Sequence, residues 1–304
     1  MEMKPPARRH RRTGPRFAFA AILLLILLGA GHAALWHIMA AQLEAGLATW
    51  VSLRRAGGWT VDHARPVRGG WPLAATLTLG AVRVEGGSAT IPGGLAFTTD
   101  RVVLRVALPR IDRLLVEVPG PGRLRLGGTE FPFTADTFLA TLPLEGNTPP
   151  REAEVAAERL RVGTAAGALE VAAARFTVAG SVSATEGEPA LELSLTAEGV
   201  ELPATPAGAA AFGRRIGALG AEVVLTGPVP PGRHPAARAE VWRDGGGTAE
   251  LRALTLRWGP VGATAAATLA LDEALQPMGA GTLRLSGAVQ ALEALAEAGL
   301  VTRR

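Results

Sequence analysis

The sequence predicts a mainly β protein, in which an N-terminal transmembrane helix precedes an extended or curved antiparallel β-sheet domain with a few short covering helices. Three observations predict this fold: an apolar run near the N-terminus, a change from helical to two-residue periodicity after Gly57, and turn signals about every 8–14 residues beyond it. With 304 residues, 48% of them hydrophobic, the chain is long enough to bury a sizeable core.

Residues 1–16 form a basic tail, predicted to be cytoplasmic. The tail holds six Lys and Arg residues against the single acidic Glu2, while the rest of the chain has 25 basic and 26 acidic residues. Because the excess of positive over negative charge is confined to the tail, we expect no nucleic-acid binding by the body. The chain has no cysteine, which excludes disulfides and thiolate chemistry without identifying a compartment.

Residues 17–39 are predicted to be the transmembrane anchor, since about 20 apolar residues cross a hydrocarbon core as a helix. Basic residues before this run place the N-terminus in the cytoplasm and the body across the membrane. A cleaved signal peptide and a buried cytosolic core helix are the alternatives. We prefer the anchor because helical spacing continues through a juxtamembrane helix, residues 40–56.

Residues 57–304 are predicted to be a periplasmic antiparallel β domain. Apolar residues alternate with Arg, Glu, Thr and Ser, so one face of the sheet should be apolar and the other solvated. No strand-helix-strand alternation occurs, which disfavours a parallel sheet. The alternation predicts a candidate apolar groove lined by Leu77, Leu104, Val116, Leu126, Leu193, Leu256, Leu269 and Leu285.

Three segments break the alternation. Residues 145–150 indicate a long turn or linker. Residues 207–220 are predicted to form a short helix, because Phe212, Ile216 and Leu219 lie at helical spacing. Residues 288–300 are predicted to form a helix that covers part of the sheet or its last edge, with Gly299 as the stop.

Motifs that carry catalytic chemistry are not found in the sequence. His63 and His234, the histidines of the body, lack the neighbouring ligands that a metal site needs. No serine lies in a nucleophile elbow, and no glycine-rich segment matches a phosphate loop. We therefore expect no catalytic residue, metal or cofactor, and predict that the protein is not an enzyme. Paired carboxylates that act in acid–base catalysis stay an open alternative.

The stretch WTVDHARPVRGGWP, residues 59–72, contains a candidate structural corner formed by Trp59, Gly70, Trp71 and Pro72. A proline at the start of a strand is tolerated, because its missing N–H donor costs least there. We expect Trp71 either to plug the core or to meet the bilayer surface beside the anchor.

These features together, from the anchor to the glycine-aromatic-proline corner and the alternation after it, resemble the domain-of-unknown-function-2125 family of Gram-negative envelope proteins. The C-terminal stretch, residues 254–295, is also similar to the ends of AsmA-like proteins, with strands running into Trp258 and Leu271 before a closing helix. The resemblance implies a single-pass inner-membrane protein with a periplasmic body, and it supplies no catalytic residues.

Two functions follow as hypotheses, both with the lipid bilayer as a partner through residues 17–39. One is a non-catalytic structural or interaction module of the envelope, whose apolar face is covered and which docks an envelope protein. The other is an AsmA-like lipid-binding or lipid-handling protein, whose apolar sheet face holds phospholipid. Alternation cannot separate them, because a core face and a groove face share one sequence pattern.

Overall fold

The computed structural model describes residues 14–87, 92–144, 152–181, 183–204, 212–229 and 235–297. Within these ranges the chain forms one large antiparallel sheet and three helices. The predicted linker at 145–150, the first 13 residues of the basic tail and His234 lie outside the described residues.

The predicted anchor and juxtamembrane helix form a single helix, α1 (Gly14–Ala56), of 43 residues. At a rise of 1.5 Å per residue its length is about 64 Å, roughly twice the thickness of a hydrocarbon core. Its apolar first half is exposed, with Ile22 57% and Leu25 68% accessible. Among the described helices, α1 is the one long and apolar enough to cross a membrane.

The sheet contains fifteen strands in the part of the chain that the structure describes. In chain order they are β1 (Thr60–Asp62), β2 (Val67–Gly69), β3 (Ala74–Gly86), β4 (Leu95–Ala107), β5 (Arg113–Glu117), β6 (Gly122–Leu126), β7 (Thr129–Thr134), β8 (Thr137–Pro143), β9 (Glu152–Thr164), β10 (Gly167–Gly180), β11 (Pro189–Glu201), β12 (Arg215–Thr226), β13 (Ala249–Trp258), β14 (Val261–Leu271) and β15 (Pro277–Ser286). The mainly β, antiparallel fold predicted from the alternation is confirmed.

Strand order follows the chain closely, as expected for hairpin-connected strands. The path runs β1-β3-β4-β5-β8-β9-β10-β11-β12-β13-β14-β15. Two short pairs lie side by side between the long strands β4 and β9: β5 with β8 on one half, and β6 with β7 on the other. From β9 onward the sheet is a simple succession of neighbouring strands.

The principal core lies between the second half of α1 and the first strands. Leu43 of α1 is buried together with Leu77, Leu79 and Leu104 of the sheet, and Met39 and Leu47 pack at its margin. A second cluster, around Val171, Ala197 and Val200, is formed by residues of the strands and the segment after β11, without a helix.

The helix predicted at 207–220 is wrong over its described part. Residues from Arg215 onward belong to β12, while residues 207–211 lie outside the described residues. A register shift between Ile216 and Ala218 places a bulge at Gly217, so that Ile216 and Leu219 pack in one cluster despite their odd spacing. The bulge therefore imitates helical spacing.

Two further helices flank the last strands. A helix, α2 (Pro235–Asp244), lies between β12 and β13, where the sequence predicts no helix. The predicted closing helix is present as α3 (Ala288–Glu297), and residues 298–300 lie outside the described part. It leaves the last strand uncovered, because all ten residues of β15 are exposed.

Candidate functional site

The two tryptophans of the predicted corner lie at opposite ends of β3. The ring of Trp59 lies against Gly86, at the end of that strand. Gly70 has a φ of +88° and accepts a hydrogen bond from the Ala74 backbone N–H at 2.9 Å, which forms the turn into β3. The four predicted residues therefore do not form one cluster.

Trp71 lies beside α1 rather than in the core. Its ring is 5.0 Å from the His32 ring and 5.9 Å from the Trp36 ring, both in edge-on geometry. The His32 Nε2 is 2.8 Å from the Pro72 carbonyl oxygen. Because Trp71 stays 52% exposed, it does not plug the core.

One face of the sheet, which we call the apolar face, carries a continuous row of apolar residues. Directly opposed residues of antiparallel strands share a face, so the register identifies the row without ambiguity. The central row crosses eleven strands and consists of Leu77, Leu104, Val116, Ala140, Val155, Phe176, Leu195, Ala221, Leu254, Ala265 and Leu283.

A second row of residues on the same face, beside the central row, is also apolar. It lies two residues away along each strand and runs from Leu79 and Val102 through Phe138 to the end of the sheet. Its later members are Ala157, Ala174, Ala197, Leu219, Leu256, Ala263 and Leu285. The two rows make a stripe that carries no charge from β3 to β15.

The stripe is covered at one end and accessible at the other. Beneath α1, Leu77 is fully buried and Leu104 is 8% exposed. Beyond β9 the exposed fraction rises to 37% at Leu195 and 64% at Leu283. The small side chains of Ala157 and Ala197 stay buried, at 5% and 8% exposure, the latter within the second cluster. In the part of the chain that the structure describes, the apolar face is thus a closed core beside α1 and a partly exposed surface further along the sheet.

The opposite face of the sheet is polar. The neighbouring row across β10 to β15 consists of Arg175, Thr196, Gly220, Thr255, Thr264 and Arg284. Arg175 forms an ion pair with Glu154, and Arg252 forms one with Glu192 at 3.9 Å. The sheet is therefore amphipathic.

The structure places seven of the eight predicted groove residues on the apolar face. Leu126, the exception, lies at the end of β6, pairs with Leu95, and is outside both long rows. Leu77, Leu104 and Val116 belong to the part that packs against α1. Leu193 and Leu256 lie further along, and Leu269 and Leu285 are exposed by 43% and 60%. The predicted groove omitted Leu195 and Leu254, although they alternate with Leu193 and Leu256, and it omitted Phe176, whose strand β10 is rich in alanine.

A cleft of about 660 Å³ lies where β6 and β7 branch from the sheet, lined in part by Arg83, Arg123 and Arg161. Each of these arginines forms an ion pair with a glutamate. Within the described residues no three His, Asp or Glu side chains are grouped as a metal site would need. His63 is bonded through Nδ1 to the Ala64 carbonyl oxygen at 2.8 Å. The cleft therefore offers charged surface without a recognisable set of reacting groups.

These features define a class of protein. A helix that is long and apolar enough to cross a membrane packs by its second half on an amphipathic antiparallel sheet, and among the described residues no other helix covers the apolar face of that sheet as α1 does. The chain belongs to the family described as "Uncharacterized protein conserved in bacteria (DUF2125)", whose profile matches residues 36–304. No curated protein and no solved structure matches the chain. The AsmA-like similarity at the C-terminus stays a prediction.

Proposed function

We propose that the protein is a non-catalytic lipid-handling module of the bacterial envelope, anchored by α1, whose uncovered apolar face holds phospholipid acyl chains. The observation that carries the proposal is the stripe of the apolar face, which continues over β9 to β15 beyond the part that packs against α1 and there exposes Phe176, Leu195, Leu254 and Leu283. An exposed row of apolar side chains that crosses several neighbouring strands is typical of an interaction site.

The dimensions of the uncovered face suit an acyl chain. The seven strands from β9 to β15 span about 29 Å at roughly 4.8 Å per strand. One leaflet of a bilayer has a hydrocarbon depth of about 15 Å, half of the whole core. A chain of that length fits along the stripe, where Ala221 and Ala265 leave room between larger residues.

Location supports the same proposal. The arginine-rich residues 1–16 before the apolar run favour a cytoplasmic N-terminus and a periplasmic body at the inner membrane. A sheet held beside a bilayer has phospholipid as its most abundant apolar neighbour.

Native mass spectrometry of the full chain, released from phospholipid nanodiscs, tests the proposal. We expect chains that retain phospholipid, and a Leu195→Arg variant that retains fewer phospholipids per chain rather than none, because α1 still binds bilayer lipid. The matched control is Thr196→Arg, on the polar face one residue away, which should retain lipid. Equal lipid retention by both variants, or a folded chain free of lipid, would contradict the proposal.

A second function, an interaction module that docks an envelope protein, is favoured by one specific observation. Within the described residues β15 is the terminal strand of the sheet, and its outer edge has no neighbouring strand. Unpaired strand edges accept a strand from another chain. Thr282→Lys would place a charge on the polar side of this edge strand and oppose such pairing without changing the apolar face. Loss of a co-purifying protein, with lipid retained, would therefore favour this function.

A further inference from the structure

We propose that the loops at one end of the sheet form a bilayer-docking rim, made of Trp71, Leu73, Ile111 and Leu144, that inserts into the leaflet from which α1 emerges. The inference rests on the anchoring part of the proposed function, and it deepens that function by placing the start of the apolar face at the lipid surface.

The depth of the rim follows from the geometry of α1. From Phe17, the start of the apolar run, to Trp36 the helix rises about 29 Å, which is close to the roughly 30 Å of a hydrocarbon core. Trp36 therefore lies at the outer boundary of the hydrocarbon. Trp71 packs against His32 and Trp36, which brings its loop to that same boundary.

Backbone hydrogen bonds join the loops of the rim into one unit. The Leu108 N–H donates to the Leu73 carbonyl at 3.0 Å, and the Leu144 N–H donates to the Asp112 carbonyl at 2.7 Å. These bonds connect the loop before β3 with the β4–β5 loop and the end of β8. The rim is thus fixed relative to α1 and to the membrane.

The side chains of the rim are large, apolar and exposed. The exposed fractions are 52% for Trp71, 71% for Leu73, 50% for Ile111 and 45% for Leu144. Tryptophan is enriched at membrane interfaces, because its ring is apolar while its N–H stays hydrated. Arg110 and Arg113, also exposed, flank Ile111 and suit the phosphates of lipid headgroups.

The absence of native cysteine makes single-cysteine probes a clean test. The variants Ile111→Cys and Leu144→Cys place a probe on the rim, and Ile26→Cys places one in the apolar half of α1. The control is Ala166→Cys, in the exposed β9–β10 turn at the opposite ends of the strands. Each full-length variant is labelled with a nitrobenzoxadiazole fluorophore and reconstituted in phosphatidylcholine–phosphatidylglycerol vesicles, with or without brominated acyl chains. Circular dichroism confirms that the sheet is retained.

We expect brominated lipid to quench the probes at Ile26, Ile111 and Leu144 several times more strongly than the probe at Ala166. If the probe at Ile26 is quenched but the probes at Ile111 and Leu144 are quenched no more than the probe at Ala166, the rim is overturned while the anchor stands. The exposed loops would then be assigned to a protein partner. Without quenching at Ile26, the anchor and the rim would both be contradicted.

Discussion

The indole N–H of Trp36 in α1 donates a hydrogen bond to the carbonyl oxygen of Ala74, the first residue of β3, at 2.8 Å. Further along, Arg68 of β2 forms an ion pair with Glu44 of α1, and Arg55 Nη2 donates to the Val61 carbonyl at 2.5 Å. The second half of α1 is therefore bonded to the sheet at its start, its middle and its end. Because helix and sheet form one unit, anchoring of α1 in a membrane would fix the orientation of the sheet relative to that membrane.

Replacing Trp36 with phenylalanine should weaken the attachment of helix to sheet. Loss of one partly buried hydrogen bond costs about 0.5–1.5 kcal/mol. The measurement is the free energy of unfolding of the full chain in detergent. The control is Trp50→Phe, whose ring is 41% exposed and lies 5.8 Å from the Arg54 guanidinium. Equal effects of the two substitutions would contradict a specific role for the Trp36 bond.

The covered and uncovered parts of the apolar face should respond differently to truncation. Leu77→Ala, at a fully buried position beneath α1, should destabilise the protein by about 2–5 kcal/mol. Leu254→Ala, in the same row but 36% exposed, should cost less than about 1 kcal/mol. Urea unfolding measures both values. A large cost at Leu254 would mean that another layer closes this part of the face.

The turn before β3 should depend on glycine at position 70. A Cβ atom there would stand 2.6 Å from the Ala74 carbonyl oxygen, on a backbone with φ of +88°. Gly120→Ala is the matched control, since its φ is +101° but a Cβ meets nothing within 4 Å. We expect Gly120→Ala to cost about 1–3 kcal/mol from backbone strain alone, and Gly70→Ala to cost more. Thermal unfolding that ranks the two in the reverse order would contradict the steric account.

Stability should depend on pH through Glu85. The hydrogen bond from Arg83, aided by the charge of Arg125, lowers the pKa of the Glu85 carboxyl below its ordinary value of 4.5. A lowered pKa stabilises the folded state above the ordinary pKa, and this contribution is lost as the pH falls through the folded-state pKa. The melting temperatures of the native chain and of Glu85→Gln should therefore differ at neutral pH and converge once the pH has fallen below the lowered pKa of Glu85. A pH-independent difference would contradict this linkage, and Glu222→Gln serves as the exposed control.

The sequence predicted the long helix and the alternating strands well, because period and length are local properties. It could not predict that Leu77 and Leu254 lie in one row, since strand register depends on pairing between distant segments. The bulge at Gly217 misled the helical assignment of Ile216 and Leu219. Pro235, the first residue of α2, is the local signal that could have identified that helix. Whether the apolar face was covered depended on packing that no strand pattern contains.

The central claim, that the uncovered apolar face holds lipid, is tested most directly by photocrosslinking in cells. Benzoylphenylalanine is placed in the full-length chain at Leu195 and Leu254 on the apolar face, and at their exposed neighbours Thr196 and Thr255 on the polar face. We predict that radiolabelled phospholipid is captured at Leu195 and Leu254 and not at Thr196 or Thr255. Capture of lipid equally on both faces, or of a protein in place of lipid at Leu195 and Leu254, would contradict the account.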